Sequence, residues 1–271
     1  MIKLIASDID GTLIGHDFAF RPRTLDALAA ARTAGVHLVL VTGRPYRWLS
    51  AIVEQMGGYD SYAICSNGAV TYHLGRQEII ETRTLTGEQM LQVHSLLKEA
   101  LPGAHFTAET IDAAYIDGDF QVVPGGPFDG IRCEYGALED AITPKSEIIK
   151  YLVRLDEADP AELLEKVRSL VGQYVSVTHA VPGSPLIEMA QLGLNKGCVL
   201  EDFAAARGID ASEVAAFGDM PNDTEMLLWA GHGYALESGA PAVQAAVGRT
   251  CPPFDEDGVA QVIEQLLDEN R

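Results

Sequence analysis

Ile2-Lys3-Leu4-Ile5-Ala6-Ser7-Asp8-Ile9-Asp10-Gly11-Thr12 opens with a short apolar run that ends in two aspartates. A short apolar run bounded by turn-forming residues is the pattern of a buried strand. Residues i and i+2 of an extended segment point to the same side, so Asp8 and Asp10 can present both carboxylates to one site. Gly11 allows a sharp turn just beyond them. Outward from this stretch, residues 22–34 read as a helix with Pro22 near its start and Gly35 closing it. Residues 36–41 form a second apolar strand ending at Thr42-Gly43, and Pro45 opens a helix to about Met56. Residues 61–65 form a third strand, followed by Ser66-Asn67-Gly68. Continuous apolar strands alternating with helices predict an α/β fold with a parallel sheet covered on both faces. Right-handed crossovers then bring the strand C-termini to one edge, which is where open parallel sheets bind ligands.

The texture changes in the middle third. Gly-Pro turns at Pro124-Gly125-Gly126-Pro127, an alternating segment at 147–155 and helical patterns at 87–100 and 159–171 read as an α+β insertion with a partly antiparallel sheet. Ile116-Asp117-Gly118-Asp119-Phe120 echoes the opening motif without its Thr, and reads as a hairpin turn. The βα texture returns with a helix at 197–207, a strand at 214–217 and helices at 222–229, 240–247 and 258–267. The expected organisation is a core domain built from 1–82 plus 190–271, with residues 83–189 inserted as a second domain.

Composition narrows the function. There are 19 Lys and Arg against 39 Asp and Glu, a formal charge of −20. Such a chain repels phosphate backbones and anionic lipid, so neither nucleic acid nor a membrane is an expected partner. Residues 83–190 hold 8 basic and 17 acidic side chains, a balance of −9 that disfavours polyphosphate substrates. No stretch approaches the roughly 20 apolar residues of a membrane span. The four cysteines are far apart and form no CxxC, which argues against a disulfide framework and for a reducing, cytoplasmic setting.

Two adjacent carboxylates need a cation or a shared proton to coexist, and an ion of the Mg²⁺ type prefers oxygen ligands. Gly218-Asp219-Met220-Pro221-Asn222-Asp223 places further carboxylates at a strand end. A helix beginning near Asn222 would turn free N–H groups toward an anion. Thr42, with the N–H groups of Gly43 and Arg44, can hold phosphate oxygens. Lys196, ahead of a helix, can neutralise charge between a carboxylate and a phosphate. Three of these four motifs directly follow predicted strands, so the four can converge on one edge.

In this order and spacing the motifs resemble those of the haloacid dehalogenase (HAD) superfamily: DxDGT, a strand-ending Thr, a Lys, and GDxxND. The insertion between the Thr and the Lys resembles the C2-capped branch, and the large cap with Ser66-Asn67-Gly68 looks most like the Cof-type sugar-phosphate phosphatases. The resemblance implies a Rossmann-like doubly wound parallel sheet core with an inserted α+β cap. It implies a Mg²⁺-dependent phosphatase acting on a small-molecule phosphate ester, as a monomer or homodimer. By the same resemblance Asp8 is the nucleophile and Asp10 the general acid and base. Thr42, Gly43, Arg44, Asn67, Lys196 and Asn222 surround the phosphate or substrate. Asp8, the backbone carbonyl of Asp10, Asp219 and Asp223 surround the metal. Arg132 and Lys150 are further candidates for substrate contact in the insertion. A sugar phosphomutase of the same superfamily and a non-catalytic sugar-phosphate sensor are the alternatives. The mutase needs an arginine-rich cap, and this one holds only Arg83, Arg132, Arg154 and Arg168.

Overall fold

The structure, a computed structural model, describes residues 1–58, 60–120, 128–179 and 183–270. The expected turn at Pro124-Gly125-Gly126-Pro127 lies outside them. The chain forms two compact units, Met1–Glu81 with Asn195–Arg271, and Thr82–Leu194. The second crossing therefore falls at 194/195. The expected boundary at 189/190 would cut a strand that continues to Gln191.

In chain order the first unit begins with β1 (Leu4–Ser7), α1 (Pro22–Thr33), β2 (His37–Val41), α2 (Ser50–Gln55), β3 (Tyr62–Cys65), β4 (Val70–His73) and β5 (Glu78–Thr82). The second unit holds β6 (Leu85–Thr86), α3 (Gly87–Ala100), β7 (His105–Glu109), β8 (Ala113–Asp117), β9 (Arg132–Tyr135), α4 (Leu138–Ala141), β10 (Glu147–Ile148), β11 (Lys150–Arg154), α5 (Pro160–Val171), β12 (Val175–His179) and β13 (Leu186–Gln191). The first unit then resumes with α6 (Lys196–Ala205), β14 (Val214–Gly218), α7 (Thr224–Trp229), β15 (His232–Leu236), α8 (Pro241–Val247), β16 (Thr250–Cys251) and α9 (Gly258–Glu269).

The first unit's sheet runs β16-β15-β14-β1-β2-β3-β4-β5. Its six strands from β16 to β3 are parallel, and β4 runs antiparallel to β3. Every residue of β1 and β14 is buried, so both faces of the sheet are covered. Helix α1 packs on α9, and α6 on α7. Register decides where the chemistry sits. Ser7 lies level with Phe217 on one side and Leu40 on the other. Asp8, Thr42 and Asp219 therefore leave their strands at the same edge.

Two helix expectations change in detail. The helix after Pro45 is split: a 3₁₀ turn at Tyr46–Trp48 closes with Trp48 N donating to Pro45 O, and α2 starts only at Ser50. After β14 a 3₁₀ turn at Pro221–Asp223 precedes α7, so that helix begins at Thr224. Strands β4 and β5 had no sequence expectation.

The second unit is a six-stranded sheet in the order β12-β13-β11-β7-β8-β9, antiparallel except for β8 with β9. That parallel pair overturns the hairpin reading of residues 116–120. A two-residue turn would return the chain antiparallel, and β9 instead runs alongside β8 in the same direction. Helices α3 and α5 pack together over one face of the sheet. Met90, Val93, Leu97, Tyr151, Val153, Val167, Ile187 and Met189 form the core between them, all fully buried. Both helices are capped by sequence. Thr86 and Gln89 make a capping box on α3, and Asp159 accepts from the N–H groups of Ala161 and Glu162 ahead of α5. Asp159→Ala is expected to destabilise the folded chain by about 1 kcal/mol, read as a lower urea midpoint. Asp159→Asn, which keeps the acceptor, should leave the midpoint nearly unchanged.

Candidate active site

The residues that form the site belong to the first unit. Asp8 continues β1, and its N–H donates to Phe217 O on β14, which fixes the residue against the neighbouring strand. Its carboxylate is buried and accepts from Lys196 Nζ at 2.6 Å. The same ammonium donates to Asp223 Oδ1 at 2.6 Å. Lys196 is 1% exposed, at the first position of α6, behind the cap residue Asn195 whose Oδ1 accepts from Cys198 N. Gly197 follows because a side chain there would meet the backbone of Glu225 at 2.7 Å. The glycine lets the start of α6 lie close to α7, and so brings the lysine in.

The other oxygen of Asp223 accepts from the N–H groups of Asp219 and Met220, at 3.0 and 2.9 Å. The turn's own carboxylate takes the two N–H groups ahead of Pro221, and Asp223 N donates to Met220 O. Asp223 thus holds Lys196 with one oxygen and shapes the loop that carries Asp219 with the other. Asp219 Oδ1 accepts from Thr12 Oγ1 at 3.2 Å. Gly11 sits beside it with φ +80°, and a Cβ there would fall 2.6 Å from Asp219 Oδ2. The glycine supplies both the left-handed turn and the room for the second carboxylate.

Asp8, Asp219 and Asp223 each offer an oxygen, all within 4.8 Å of one another. One lysine faces these three acids, so the cluster carries excess negative charge. Burial pushes the Asp8 carboxyl up to about 8, opposed by Lys196 and reinforced by Asp223 and Asp219. Burial, and then Asp223, push Asp219 up to about 6. Burial works against the Lys196 charge, but Asp223 and Asp8 outweigh it and hold the ammonium protonated. An all-oxygen donor set with unbalanced negative charge, and a glycine keeping the space open, fits a hard divalent cation.

Asp10 lies apart from this cluster. Its carboxylate is gripped by the Arg44 guanidinium, with Nε 2.7 Å from Oδ2 and a terminal nitrogen on Oδ1. The expectation for Arg44 was substrate contact; here it orients Asp10. Phe18, in the loop after Asp10, lies over the same guanidinium, 5.5 Å from ring centroid to Cζ. Thr42 is buried, and its hydroxyl oxygen accepts from Arg44 N at 3.1 Å. The Arg44 N–H is thereby engaged with the Thr42 oxygen. Asn67 and its neighbours Ser66 and Gly68 all have positive φ, a costly backbone for the two non-glycine residues. Their loop is tied to the end of β2 by Asn67 N to Thr42 O and Ser66 N to Arg44 O. Asn67 Oδ1 accepts from Asn222 Nδ2 at 3.0 Å and lies against Gly43, where a Cβ would be 3.3 Å away. Asn67 and Asn222, 155 residues apart, are thus one polar bridge across the site.

In the second unit, Lys150 pairs with Glu188 at 2.9 Å and Arg132 with Glu134. The sequence reading gave no role to Thr12. The signal was the Thr of the opening motif, whose hydroxyl is the natural partner for a second acid brought against Gly11.

Comparison with known proteins identifies the family. Residues 5–263 match the model of the haloacid dehalogenase-like hydrolase family. The chain is similar to the 5-amino-6-(5-phospho-D-ribitylamino)uracil phosphatase YitU of Bacillus subtilis, at 27% identity over 97% of each chain. It is similar to the pyridoxal phosphate phosphatase YbhA of Escherichia coli, at 25% identity over 98% of each. Among solved structures it resembles BT1666 of Bacteroides thetaiotaomicron, described among phosphatases of the haloalkanoate (HAD) enzyme superfamily. The TM-score is 0.79, at 24% identity over 98% of this chain and 95% of the other. The chain belongs to the haloacid dehalogenase-like hydrolase family.

Proposed function

We propose that this chain is a Mg²⁺-dependent phosphatase that hydrolyses small phosphate monoesters through a covalent phosphate on Asp8. The observation that carries the reading is the buried Asp8–Lys196–Asp223 ion group beside Asp219, with Asp10 two residues past Asp8 and outside the group. Two acids with one local origin sit in opposite settings. Asp8 is held immobile by an ammonium, while the Asp10 side chain is about half exposed and can reach a leaving group.

In the first step a carboxylate oxygen of Asp8 attacks phosphorus, and the bond from phosphorus to the ester oxygen breaks. Asp10 donates its proton to the departing alcohol oxygen. In the second step Asp10 takes a proton from water, the water oxygen bonds to phosphorus, and the phosphorus–Asp8 bond breaks, releasing inorganic phosphate. For this, Arg44 must release one oxygen of Asp10 while keeping the other. Lys196 orients Asp8 and offsets the negative charge brought together on attack. The Thr42 hydroxyl, the Gly43 N–H and the Asn67–Asn222 bridge would hold the non-bridging phosphate oxygens. Asp8, the Asp10 carbonyl and Asp219 would hold Mg²⁺, with Asp223 behind them. The ion, when bound, neutralises phosphate charge and fixes the phosphoryl group for in-line attack.

The named relatives act on different small phosphorylated molecules, which supports the class of metabolite monoesters and not one member of it. No disulfide joins the four cysteines, in keeping with a reducing cytoplasm, and no described helix is long and apolar enough to cross a membrane.

Asp8→Asn is expected to abolish phosphate release from a panel of metabolite phosphates while leaving the circular dichroism spectrum intact. Asp10→Asn should lower kcat by about 10²–10⁴-fold for alkyl esters. Near-normal turnover in Asp8→Asn would end the covalent reading. A second expectation concerns metal and pH. Protons and the ion compete for Asp8 and Asp219, whose carboxyls are raised to about 8 and about 6. The Mg²⁺-induced rise in Tm should therefore be small at pH 5 and grow toward pH 8.5, and EDTA should remove both it and the activity. A Mg²⁺ effect that is independent of pH would contradict this.

A further inference from the structure

We propose that the second unit contains a separate binding site for a Zn²⁺-type divalent ion, formed by Nε2 of His94 with the carboxylates of Asp117 and Glu139. The phosphatase reading does not enter the argument, since all these residues lie in Thr82–Leu194.

His94 projects from the apolar face of α3, level with Met90, Val93 and Leu97, and is fully buried. An aliphatic residue would fill this position at no polar cost. The ring is instead fixed in one orientation: Nδ1 lies 2.7 Å from Tyr151 Oη, and the ring stands edge-on to Phe106 with centroids 4.7 Å apart. That leaves Nε2 aimed at Glu139 Oε2, 3.5 Å away, and without a hydrogen-bond partner among the described residues. Asp117, the last residue of β8, likewise places a buried Oδ2 there without a hydrogen bond. Glu139 reaches in from the first turn of α4. The three donor atoms lie within 4.8 Å of one another. Donors of a tetrahedral zinc site are about 3.3 Å apart, which follows from Zn–N and Zn–O lengths near 2.0 Å. The approach needed is at most about 1.5 Å of side-chain movement.

The chemistry of the set selects the ion. One imidazole nitrogen and two carboxylate oxygens suit Zn²⁺, whereas Mg²⁺ favours oxygen alone. A ligating histidine normally gives its second N–H to an oxygen, and Tyr151 Oη is in place to receive it. Burial lowers the affinity of His94 for a proton, against the pull of Glu139, so the ring keeps a lone pair for the ion.

Lys98, one turn along α3, holds the balancing charge in this structure. Its Nζ is 2.8 Å from Glu139 Oε1 and 3.6 Å from Asp117 Oδ2. The lysine side chain is 48% exposed and can swing into water, leaving a doubly charged ion to replace a single charge between two acids. In the simpler reading Lys98 neutralises the two acids and a neutral His94 turns Nε2–H toward Glu139, but that contact is long for a hydrogen bond at 3.5 Å and leaves the buried Asp117 Oδ2 unsatisfied among the described residues. With the ion bound, α3, β8 and α4 would be fastened at one point, which stabilises the folded unit by mass action.

The test is calorimetric titration of the full chain with ZnCl₂, comparing wild type with Glu139→Gln and Lys98→Met. Both altered side chains are about half exposed, so the fold should persist. Comparing variants cancels any Zn²⁺ taken by the Asp8–Asp219–Asp223 cluster, which is the same in all three proteins. The expected result is one Zn²⁺ equivalent in wild type that weakens at least tenfold in Glu139→Gln and tightens severalfold in Lys98→Met. The ¹⁵N resonance of His94 Nε2 should shift on Zn²⁺ addition in wild type and stay unmoved in Glu139→Gln. Identical Zn²⁺ binding in wild type and Glu139→Gln would overturn the proposal, as would a Glu139-dependent event that leaves the His94 resonance in place.

Discussion

The first unit is organised around one ammonium. Lys196 Nζ sits 2.6 Å from Asp8 and 2.6 Å from Asp223, all three side chains buried. Burying charge is costly unless each group is paired and its remaining hydrogen-bonding capacity is used. Here the charges are only partly paired, one ammonium against three acids, but hydrogen bonds take up much of the remaining capacity. Asp223 spends its second oxygen on two backbone N–H groups, and Asp219 takes the Thr12 hydroxyl. Removing the lysine would leave buried carboxylates against one another. In the proposed mechanism the same constraint is useful, because a carboxylate locked by an ammonium would not turn away from a phosphorus atom placed before it.

The fold serves that constraint by register. Parallel strands β1, β2 and β14 end together, so the residues just beyond them meet without long loops. Close approach is then secured by residues that have no side chain to interfere. Gly11 admits Asp219, Gly43 admits Asn67, and Gly197 brings α6 against α7. The strained Ser66-Asn67 backbone is held by hydrogen bonds to the end of β2, so the cost of its positive φ values is met by the scaffold around it.

Much of this was legible in the sequence. The apolar run before Asp8 and the alternation that follows gave the strands, their parallel sense and the shared edge. The i, i+2 spacing placed Asp8 and Asp10 together, although in the structure the Asp10 carboxylate turns to Arg44 and the Asp8 carboxylate to Lys196. What the sequence hid depends on long-range geometry. Neither the Arg44–Asp10 grip nor the Asn67–Asn222 bridge has a local periodic signal, since each needs two loops to be closed first. The turn at Pro221–Asp223 looked like a helix start because a 3₁₀ turn and an α-helix share their opening residues. The parallel β8–β9 pair looked like a hairpin because Asp117-Gly118 carries the composition of one. His94 was invisible for the opposite reason: one polar residue on an apolar helix face reads as an ordinary interruption until its neighbours are known.

The central claim is that Asp8 carries the phosphate. It is tested most directly by acid-quenching the Asp10→Asn protein during turnover of an aryl phosphate, whose leaving group needs no proton, and mapping phosphate by peptide mass spectrometry. The account predicts phosphate on the peptide bearing Asp8, because formation of the acyl phosphate outlives the loss of the group that activates water. Phosphate on any other residue, or phenol release with free phosphate appearing in step and no adduct at Asp8, would contradict it.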